Sequence, residues 1–581
     1  MSATRILEEA SAVDDGSNDI PPDGARGRRL LNGVVLVVVA LAAGYGALER
    51  LWLLVHLPLF GDEAVVGLMV RQIDAGEFST FYWGQKYGGV EPYVAALVGH
   101  VVPGPIGLNA SASLVALVAA LLVGLVVHEI SGDWRAGGLA GALAWVWPYA
   151  VVWNSSRELG FRFATLVFGL ALLYFAVRVC HGHRGPVTLL MLGACAGIGW
   201  WSSPEIAYFT LPAGIVLIGS WRRWTDGWSA RLNPWPAVLV VIGAVAGALP
   251  WLVTNANDGF ASLSLSSAPA GGSTYGGRLA VFVEKVLPTA LGLRMPLSGQ
   301  WVGGRVLGHL LYGVSLLILS GLILIACRAL RRGRRGLPLF AGAVGIAAFP
   351  FVFAANPGAG YWQDGRYGDD FSFLVAVLAL SALVEVSTSS CGHKLPTGAR
   401  DLGADSSPRN HATTRWGVAV GSTAVAVAAL LTAIAARDTS GTPVASVTRF
   451  FSGWQNPNAA IDQVTRSMDA AGIRFAYGDY WVSYTLDDVD PSLMVSPSPL
   501  DPVRSKSIAR AVAGARQPAW LFFAPGKEAA AGAAFSNPET GPGNYSESAF
   551  VSMLTREGNG YRLIHLGVLD AVVPDRPVSL S

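Results

Sequence analysis

Residues 60–93 read FGDEAVVGLMVRQIDAGEFSTFYWGQKYGGVEPY and directly follow the first long apolar stretch of the chain. This segment concentrates ionisable side chains in a sequence that is otherwise mostly apolar: Asp62, Glu63, Arg71, Asp74, Glu77, Lys86 and Glu91. Ionisable groups beside the hydrocarbon of a membrane are costly and usually have a partner or a function. The segment therefore predicts a functional site at the membrane surface.

The composition indicates a membrane protein with some soluble material attached. Hydrophobic residues make up 52% of the 581 residues and charged residues only 14%, whereas a soluble domain is about 25% charged. The net charge of +2 gives no argument for a nucleic-acid partner. Residues 1–29 are polar and predict a disordered cytoplasmic tail, because the apolar run that follows is too long for a signal peptide.

About eleven membrane spans are predicted, since a spanning helix needs about 20 mostly apolar residues. The spans fall near 31–55, 106–127, 136–153, 160–178, 187–201, 205–220, 235–254, 306–327, 337–355, 370–387 and 416–436. The residues Ser202-Ser203-Pro204 either separate two of these spans or break a single one. Residues 30–436 thus form a mainly α, polytopic helical bundle whose first outer loop is 56–105.

Arginine and lysine accumulate in alternate loops, and such loops face the cytoplasm. The N-terminus is therefore predicted to be cytoplasmic in the plasma membrane, and residues 437–581 to be extracytoplasmic. The outer segments are long and hold most of the remaining polar residues. An outer active site has no access to cytoplasmic nucleotides, so its activated substrate must arrive on a lipid, which points to a polyprenyl-phosphate donor.

Residues 437–581 predict a small α/β domain. Helices are expected at PNAAIDQVTRSMDAAG and around 503–514, and short strands at RFAYGDYW, AWLFFAP and YRLIHLGVL. Within this domain, Asp479, Tyr480 and Trp481 either contact a sugar or belong to the core.

Asp62 and Glu63 have two interpretations. They suit the first turn of a helix, where Asp62 is an N-cap and Glu63 favours the helix dipole. They are also two carboxylates at the outer membrane surface, beside Lys86 and Glu91, where catalytic groups would lie.

An Asp-Glu pair after the first span, followed by an interfacial helix and the step Glu91-Pro92-Tyr93, resembles the GT-C superfamily. Its members are polyprenyl-phosphate-sugar-dependent glycosyltransferases, including the protein O-mannosyltransferases and the lipid A aminoarabinose transferases. Three further stretches are similar to that family: 200–205 (WWSSPE), 247–250 (GALP) with Asn255, and 364–367 (DGRY). The second half of the first loop, QKYGGVEP, departs from the lipid A transferases.

The resemblance implies an inverting transfer of a sugar from a polyprenyl phosphate to a cell-envelope glycan, lipid or protein. A polyprenyl phosphate leaves as a stable anion, so the reaction needs one base and cations for the phosphate rather than a carboxylate pair. We predict Asp62 as the base and Glu63 as its helper. The residues predicted to bind the donor phosphate or sugar are Arg157, Arg366, Lys86, Glu91, Glu205 and Asp364. Arg157 is equally suited to a salt-bridged loop.

A divalent cation is a further open question. Asp62 with Glu63, or Asp364 with Asp369 and Asp370, offers the oxygen ligands that such an ion prefers. A lipid or solute transporter and a non-catalytic envelope assembly protein are the alternative functions. Convergence of Asp62, Glu205 and Arg366 on one outward-opening cavity with a lipid-sized side entrance would favour the enzyme, whereas scattered positions would favour one of the other two functions.

Overall fold

The structure is a computed structural model of the chain. It describes residues 22–57, 59, 61–220, 235–263, 274–296, 298–331, 336–360, 365–389, 409–438, 457–527 and 541–578. Most of the predicted cytoplasmic tail lies outside the described residues. The first helix already begins at Pro22, inside the segment assigned to that tail.

The described residues before position 439 are mainly helical. Their α-helices are α1 (Pro22–His56), α2 (Gly61–Asp74), α3 (Glu91–Gly99), α4 (Pro105–Ser131), α5 (Trp134–Val146), α6 (Tyr149–Asn154), α7 (Arg162–Cys180), α8 (Pro186–Ser202), α9 (Ala207–Gly219), α10 (Trp235–Gly247), α11 (Leu249–Asn257), α12 (Tyr275–Val281), α13 (Leu287–Ala290), α14 (Arg305–Leu330), α15 (Gly336–Ala355), α16 (Asp369–Ser389) and α17 (Arg409–Asp438). A π-helical turn, Phe282–Val286, joins α12 to α13.

Helices lie at all the positions predicted to be spans, but they differ in length. Within the described ranges, seven helices are long and apolar enough to cross a membrane, and an eighth is obtained if α10 and α11, bent by 65°, form one span. Helices α8 and α9 are shorter, and Ser203 between them is extended. The mainly α bundle is therefore confirmed, whereas the number of eleven crossings stays a prediction.

Helices α8 and α10 pack backbone against backbone through glycines. A Cβ on Gly193 would lie 2.0 Å from the carbonyl oxygen of Val240, and one on Gly243 would lie 2.2 Å from that of Leu190. Gly197 and Gly247 repeat these contacts four residues later. Small residues at this spacing let membrane helices approach closely, which explains why both helices carry a glycine every fourth residue here.

The C-terminal domain is a five-stranded sheet with helices. Its elements are α18 (Pro457–Ala470), β1 (Phe475–Gly478), α19 (Tyr480–Val489), β2 (Met494–Pro497), α20 (Lys506–Ala513), β3 (Ala519–Phe523), α21 (Glu547–Arg556), β4 (Tyr561–His565) and β5 (Leu569–Pro574). The strand order is β2-β1-β3-β5-β4. Strand β1 pairs in parallel with β2 and β3, and β5 pairs antiparallel with β3 and β4.

Two details of this domain differ from the sequence prediction. The stretch RFAYGDYW does not form one strand, because Asp479 accepts a hydrogen bond from the Val482 amide at 2.7 Å and thereby caps α19. Tyr480 consequently begins a helix. The stretch YRLIHLGVL forms a hairpin instead of one strand, with Gly567 in its turn at a φ of 101°.

Helix α2 of the first loop is the contact surface for the C-terminal domain. Arg71 on α2 donates to Asp488 Oδ1 and to the carbonyl oxygen of Asp487, both at 2.8 Å. Burial raises the pKa of Asp488 to about 6, while Arg71 opposes that shift. Gly67 lies beneath this ion pair, since a Cβ there would be 2.4 Å from Asp488 Oδ1.

Substituting Gly67 by alanine should loosen the C-terminal domain by about 1–3 kcal/mol, the usual cost of overpacking. The added methyl would push the Asp488 carboxylate away from Arg71. The backbone amides of α19 should exchange their hydrogens faster in Gly67→Ala than in the wild type, which hydrogen–deuterium exchange measures. Gly99→Ala is the matched control, because no atom lies within 4 Å of a Cβ at that position. Equal protection of α19 in both variants would contradict this account.

Candidate active site

Asp62 lies in the first turn of α2 and uses both oxygens of its carboxylate. Arg366 Nη1 lies 3.2 Å from Asp62 Oδ2, and the hydroxyl of Tyr480 donates to Asp62 Oδ1 at 2.6 Å. Three distant parts of the chain thus meet: the first loop, the entry to α16, and the C-terminal domain. The side chain of Asp62 is 16% exposed, so it remains within reach of a ligand.

The residue before Arg366 is a glycine that packs closely against Thr289. Gly365 adopts a φ of 77°, in the left-handed region that favours glycine. A Cβ at Gly365 would lie 2.8 Å from Thr289 Cγ2. Both the backbone conformation and the close packing at this position therefore require a glycine. This glycine in the GRY sequence places the arginine that follows it.

The surroundings of Asp62 lower the pKa of its carboxyl group. Burial alone would raise this pKa, but the positive charge of Arg366, the hydroxyl of Tyr480 and the charge of Arg504 together outweigh burial. Asp62 is therefore ionised throughout the physiological pH range.

Arg504 extends the site into the C-terminal domain. Its Nε donates to the hydroxyl of Tyr480 at 3.3 Å, and its guanidinium lies 5.6 Å from the ring centres of Tyr82 and Tyr480. The hydroxyl of Tyr82 in turn donates to the carbonyl oxygen of Asp62 at 3.2 Å. A directed chain of hydrogen bonds, Arg504 to Tyr480 to Asp62, therefore fixes the carboxylate.

Glu63 and Arg157 form a buried ion pair beside this site. Arg157 Nε lies 2.6 Å from Glu63 Oε1, and the two side chains are 4% and 0% exposed. Asn109 donates to Glu63 Oε2 at 3.3 Å and accepts from the Glu158 amide at 2.9 Å. The pair thus ties α2 to α4 and to the 155–161 segment. The predicted roles of Glu63 as helper and of Arg157 as phosphate ligand stay predictions.

Glu91 and Glu158 form a second buried group. Glu91 Oε1 accepts from the Ala164 amide at 2.5 Å, and Glu158 accepts from Ser111 at 2.7 Å and from the Gly160 amide at 3.0 Å. Burial raises the pKa of Glu91 well above its usual value, with repulsion from Glu158 adding to the shift. Burial also raises the pKa of Glu158. Burial and the neighbouring carboxylate thus favour the neutral form of Glu91. Donor binding by Glu91 stays a prediction.

Glu205 forms an ion pair with Arg162. Arg162 Nη1 contacts both oxygens of Glu205, at 3.1 and 3.2 Å. The guanidinium of Arg162 is 4.3 Å from the ring centre of Tyr367, and that of Arg366 is 5.7 Å from the same ring. Tyr367 therefore links the Glu205 pair to the Asp62 site. The structure brings Asp62, Arg366 and Glu205 into one region. The outward-opening cavity that the enzyme hypothesis also requires stays a prediction.

The other two predicted donor-binding residues are Lys86 and Asp364, and both roles stay predictions. Lys86 is exposed in the loop between α2 and α3. Asp364 lies outside the described residues.

Three of the predicted oxygen ligands for a divalent cation have protein partners. Asp62 faces Arg366, Glu63 faces Arg157, and Asp369 accepts from Asn154 Nδ2 at 3.0 Å. Among the described residues, no group of three or more His, Cys, Asp or Glu side chains has an arrangement suited to a metal ion. Metal dependence stays open.

Sequence reasoning named Asp62, Arg366 and Tyr480 but missed Arg504. The tripeptide Val503-Arg504-Ser505 leads into α20, where Ser505 is the N-cap. A lone arginine before a helix cap is common on protein surfaces, and only the docking of the C-terminal domain on α2 places this one beside Asp62.

The comparisons with known proteins define the fold. No protein-family model matches this sequence, and no curated protein matches it by sequence. The structure of ArnT from Cupriavidus metallidurans in the apo state is similar, with a TM-score of 0.56 and 14% identity over 94% of this chain and 98% of that chain. The structure of the same protein bound to undecaprenyl phosphate gives a TM-score of 0.53 and 14% identity over 93% and 98%. The chain therefore has the GT-C fold that the sequence resemblance implies.

Proposed function

We propose that this protein is a membrane glycosyltransferase that moves a sugar from a polyprenyl-phosphate donor to a cell-envelope hydroxyl acceptor on the extracytoplasmic face. The observation that carries the proposal is the ion pair of Asp62 and Arg366 at the start of α2, on a GT-C bundle. It joins a carboxylate and a guanidinium, the two groups that the roles of base and phosphate ligand need. ArnT, which shares the fold, binds undecaprenyl phosphate, and this supports a lipid-linked donor here.

In this proposal Arg366 also binds the phosphate of the donor. A phosphate diester carries one negative charge and suits the guanidinium fork of arginine. As the phosphate takes over Arg366, Asp62 loses the cation that contributes most to lowering its pKa. Burial then acts with less opposition, so the pKa of Asp62 rises and its carboxylate becomes a stronger base. Donor binding would thus activate the base.

The transfer itself is a single displacement. The acceptor oxygen attacks the anomeric carbon opposite the phosphate, its proton passes to Asp62, and the bond between that carbon and the phosphate oxygen breaks. The electron pair of that bond stays on the phosphate, which leaves as polyprenyl phosphate. The sugar is inverted. In this proposal Glu63 and Arg157 hold α2 in place, and their roles as helper and phosphate ligand stay predictions. Contacts of the donor phosphate or sugar with Lys86, Glu91, Glu205 and Asp364 stay predictions as well.

The proposal is tested with membranes that contain the protein and polyprenyl phosphate carrying radiolabelled mannose or arabinose. The label should move from the lipid extract to a cell-envelope glycan, lipid or protein. Chelation by EDTA in the same assay reports on metal dependence. Label that remains in the lipid fraction with both donors, in membranes whose envelope acceptors are intact, would contradict the proposal.

Arg366→Ala should weaken donor use by roughly 10- to 100-fold in kcat/KM, the scale of one charge-assisted hydrogen bond of about 1.5–3 kcal/mol. The effect should appear mainly as a higher KM for the lipid donor. Arg305→Ala, at the start of α14 on an exposed position, is the control. An unchanged KM for the donor in a folded Arg366→Ala protein would remove Arg366 from the phosphate site.

A further inference from the structure

The charge on the phosphate changes during the proposed transfer, and this inference rests on that proposed function. The donor is a phosphate diester with one negative charge. The product is a monoester, whose second proton has a pKa of about 6 in phosphorylated side chains. The leaving group therefore develops a second negative charge as the bond to the sugar breaks. Groups that interact with the charge that develops during the reaction stabilise the transition state most. A site that favours this step should therefore hold a second cation close to Arg366.

The described part of the site contains one arginine whose charge no carboxylate balances directly. Arg157 is paired with Glu63 and Arg162 with Glu205. No carboxylate oxygen within the described ranges lies at salt-bridge distance from Arg504. Its guanidinium contacts Tyr480 and, when the amide of Gln85 is oriented to accept, the oxygen of that amide at 2.6 Å from Nη1. Asp62 thus lies between two arginines, and the two positive charges exceed its single negative charge.

We propose that Arg504, supplied by the C-terminal domain, is the cation that receives the second negative charge of the departing polyprenyl phosphate. Arg366 then binds the diester in the ground state, and Arg504 binds the monoester that forms from it. This role makes the C-terminal domain part of the catalytic machinery.

Contacts within the protein hold Arg504 in place. Its backbone amide donates to the hydroxyl of Tyr484 at 2.5 Å, and the rings of Tyr82 and Tyr480 lie against its guanidinium. Gly84 passes directly beneath its side chain, since a Cβ there would be 2.9 Å from Arg504 Cδ. A fixed cation requires no reorganisation when charge develops, which is the property this role needs.

The test compares two lipids that differ in one phosphate charge. The purified full-length protein is titrated in detergent with undecaprenyl phosphate, a monoester, and with its methyl phosphodiester, at pH 5 and pH 8. For the wild-type protein, the ratio of monoester affinity to diester affinity should be about tenfold higher at pH 8 than at pH 5, because any titration of Asp62 on binding affects both lipids alike. Arg504→Gln should abolish this gain and leave diester binding within about twofold, whereas Arg366→Gln should weaken the binding of both lipids.

Two further variants separate charge from structure. Arg504→Lys keeps the positive charge and should keep most of the preference for the monoester at pH 8. Lys506→Gln removes an exposed charge of the same domain and should change nothing. Arg504→Gln binding both lipids like the wild type, or losing both equally, would overturn the inference and leave the proposed function intact. A wild-type protein that binds neither lipid would overturn the proposed function and this inference together.

Discussion

Replacing Asp62 by asparagine is expected to lower the rate of sugar transfer by about 10²- to 10⁴-fold, the usual contribution of a positioned general base. The amide keeps the size of the side chain and an acceptor for the Tyr480 hydroxyl, but it cannot take the acceptor proton. It also loses the ion pair with Arg366. Initial rates of label transfer from the lipid donor, in membranes with equal amounts of protein, measure the loss.

Asp74→Asn is the matched control, because Asp74 is exposed at the other end of the same helix. Its rate should stay within about twofold of the wild type, as expected for a surface substitution that changes stability little. A wild-type rate in Asp62→Asn would remove Asp62 from the role of base.

The pH dependence of the wild-type rate adds an independent check on Asp62. The profile of kcat/KM reports the free enzyme, in which the pKa of Asp62 is lowered, so it should fall only below the ordinary aspartate value of about 4. The profile of kcat reports the donor complex, where Arg366 is engaged by phosphate. Its acidic limb should therefore lie at higher pH. If the acidic limbs of the kcat and kcat/KM profiles lay at the same pH, Arg366 would not move from the Asp62 carboxylate to the donor phosphate.

Replacing Arg157 by methionine is expected to destabilise the protein by about 3–5 kcal/mol, the cost of leaving one member of a buried ion pair without its partner. Glu63 would keep a negative charge at a position with no exposed side-chain surface. This loss is comparable with the total stability of many domains. Equilibrium unfolding in detergent micelles, followed by tryptophan fluorescence, measures it.

The double variant Glu63→Gln with Arg157→Met removes both charges and should recover part of that loss, because no charge is then left buried alone. Arg474→Met is the control, since its pair with Asp469 is about half exposed on both sides and such surface pairs contribute about 1 kcal/mol or less. A loss below about 1 kcal/mol in Arg157→Met would show that this pair does not hold α2.

Local patterns in the sequence predict most of the helical part of this protein. Twenty-residue apolar runs give the long helices, and charge next to hydrocarbon singles out the start of α2. The polar motifs around Asp62 and Arg366 are each only a few residues long. Their order in the chain and their predicted location on the same side of the membrane nevertheless predict that they belong to one site. The structure brings the two side chains into contact across 304 residues of sequence.

Side-chain partners set by tertiary packing are not visible in those patterns. Glu63 follows Asp62 directly, but a helix turns successive residues by about 100°. Glu63 therefore faces Arg157 and the interior, while Asp62 faces Arg366 and Tyr480. The contribution of Arg504 depends on how a separate domain docks, which no local pattern encodes. The aromatic residues around Tyr480 favour a strand, which is what the sequence predicts there. In the structure the side chain of Asp479 caps the backbone and a helix begins instead.

The most direct test of the central claim is a single-turnover reaction of purified protein with a radiolabelled polyprenyl-phosphate sugar and an envelope extract as acceptor. Free polyprenyl phosphate and glycosylated acceptor are measured together, for the wild type and for Asp62→Asn. The account predicts equal amounts of both products with the wild type and at least a 100-fold slower appearance of both with Asp62→Asn. Equal rates for the two proteins, or polyprenyl phosphate released with no sugar on any acceptor, would contradict it.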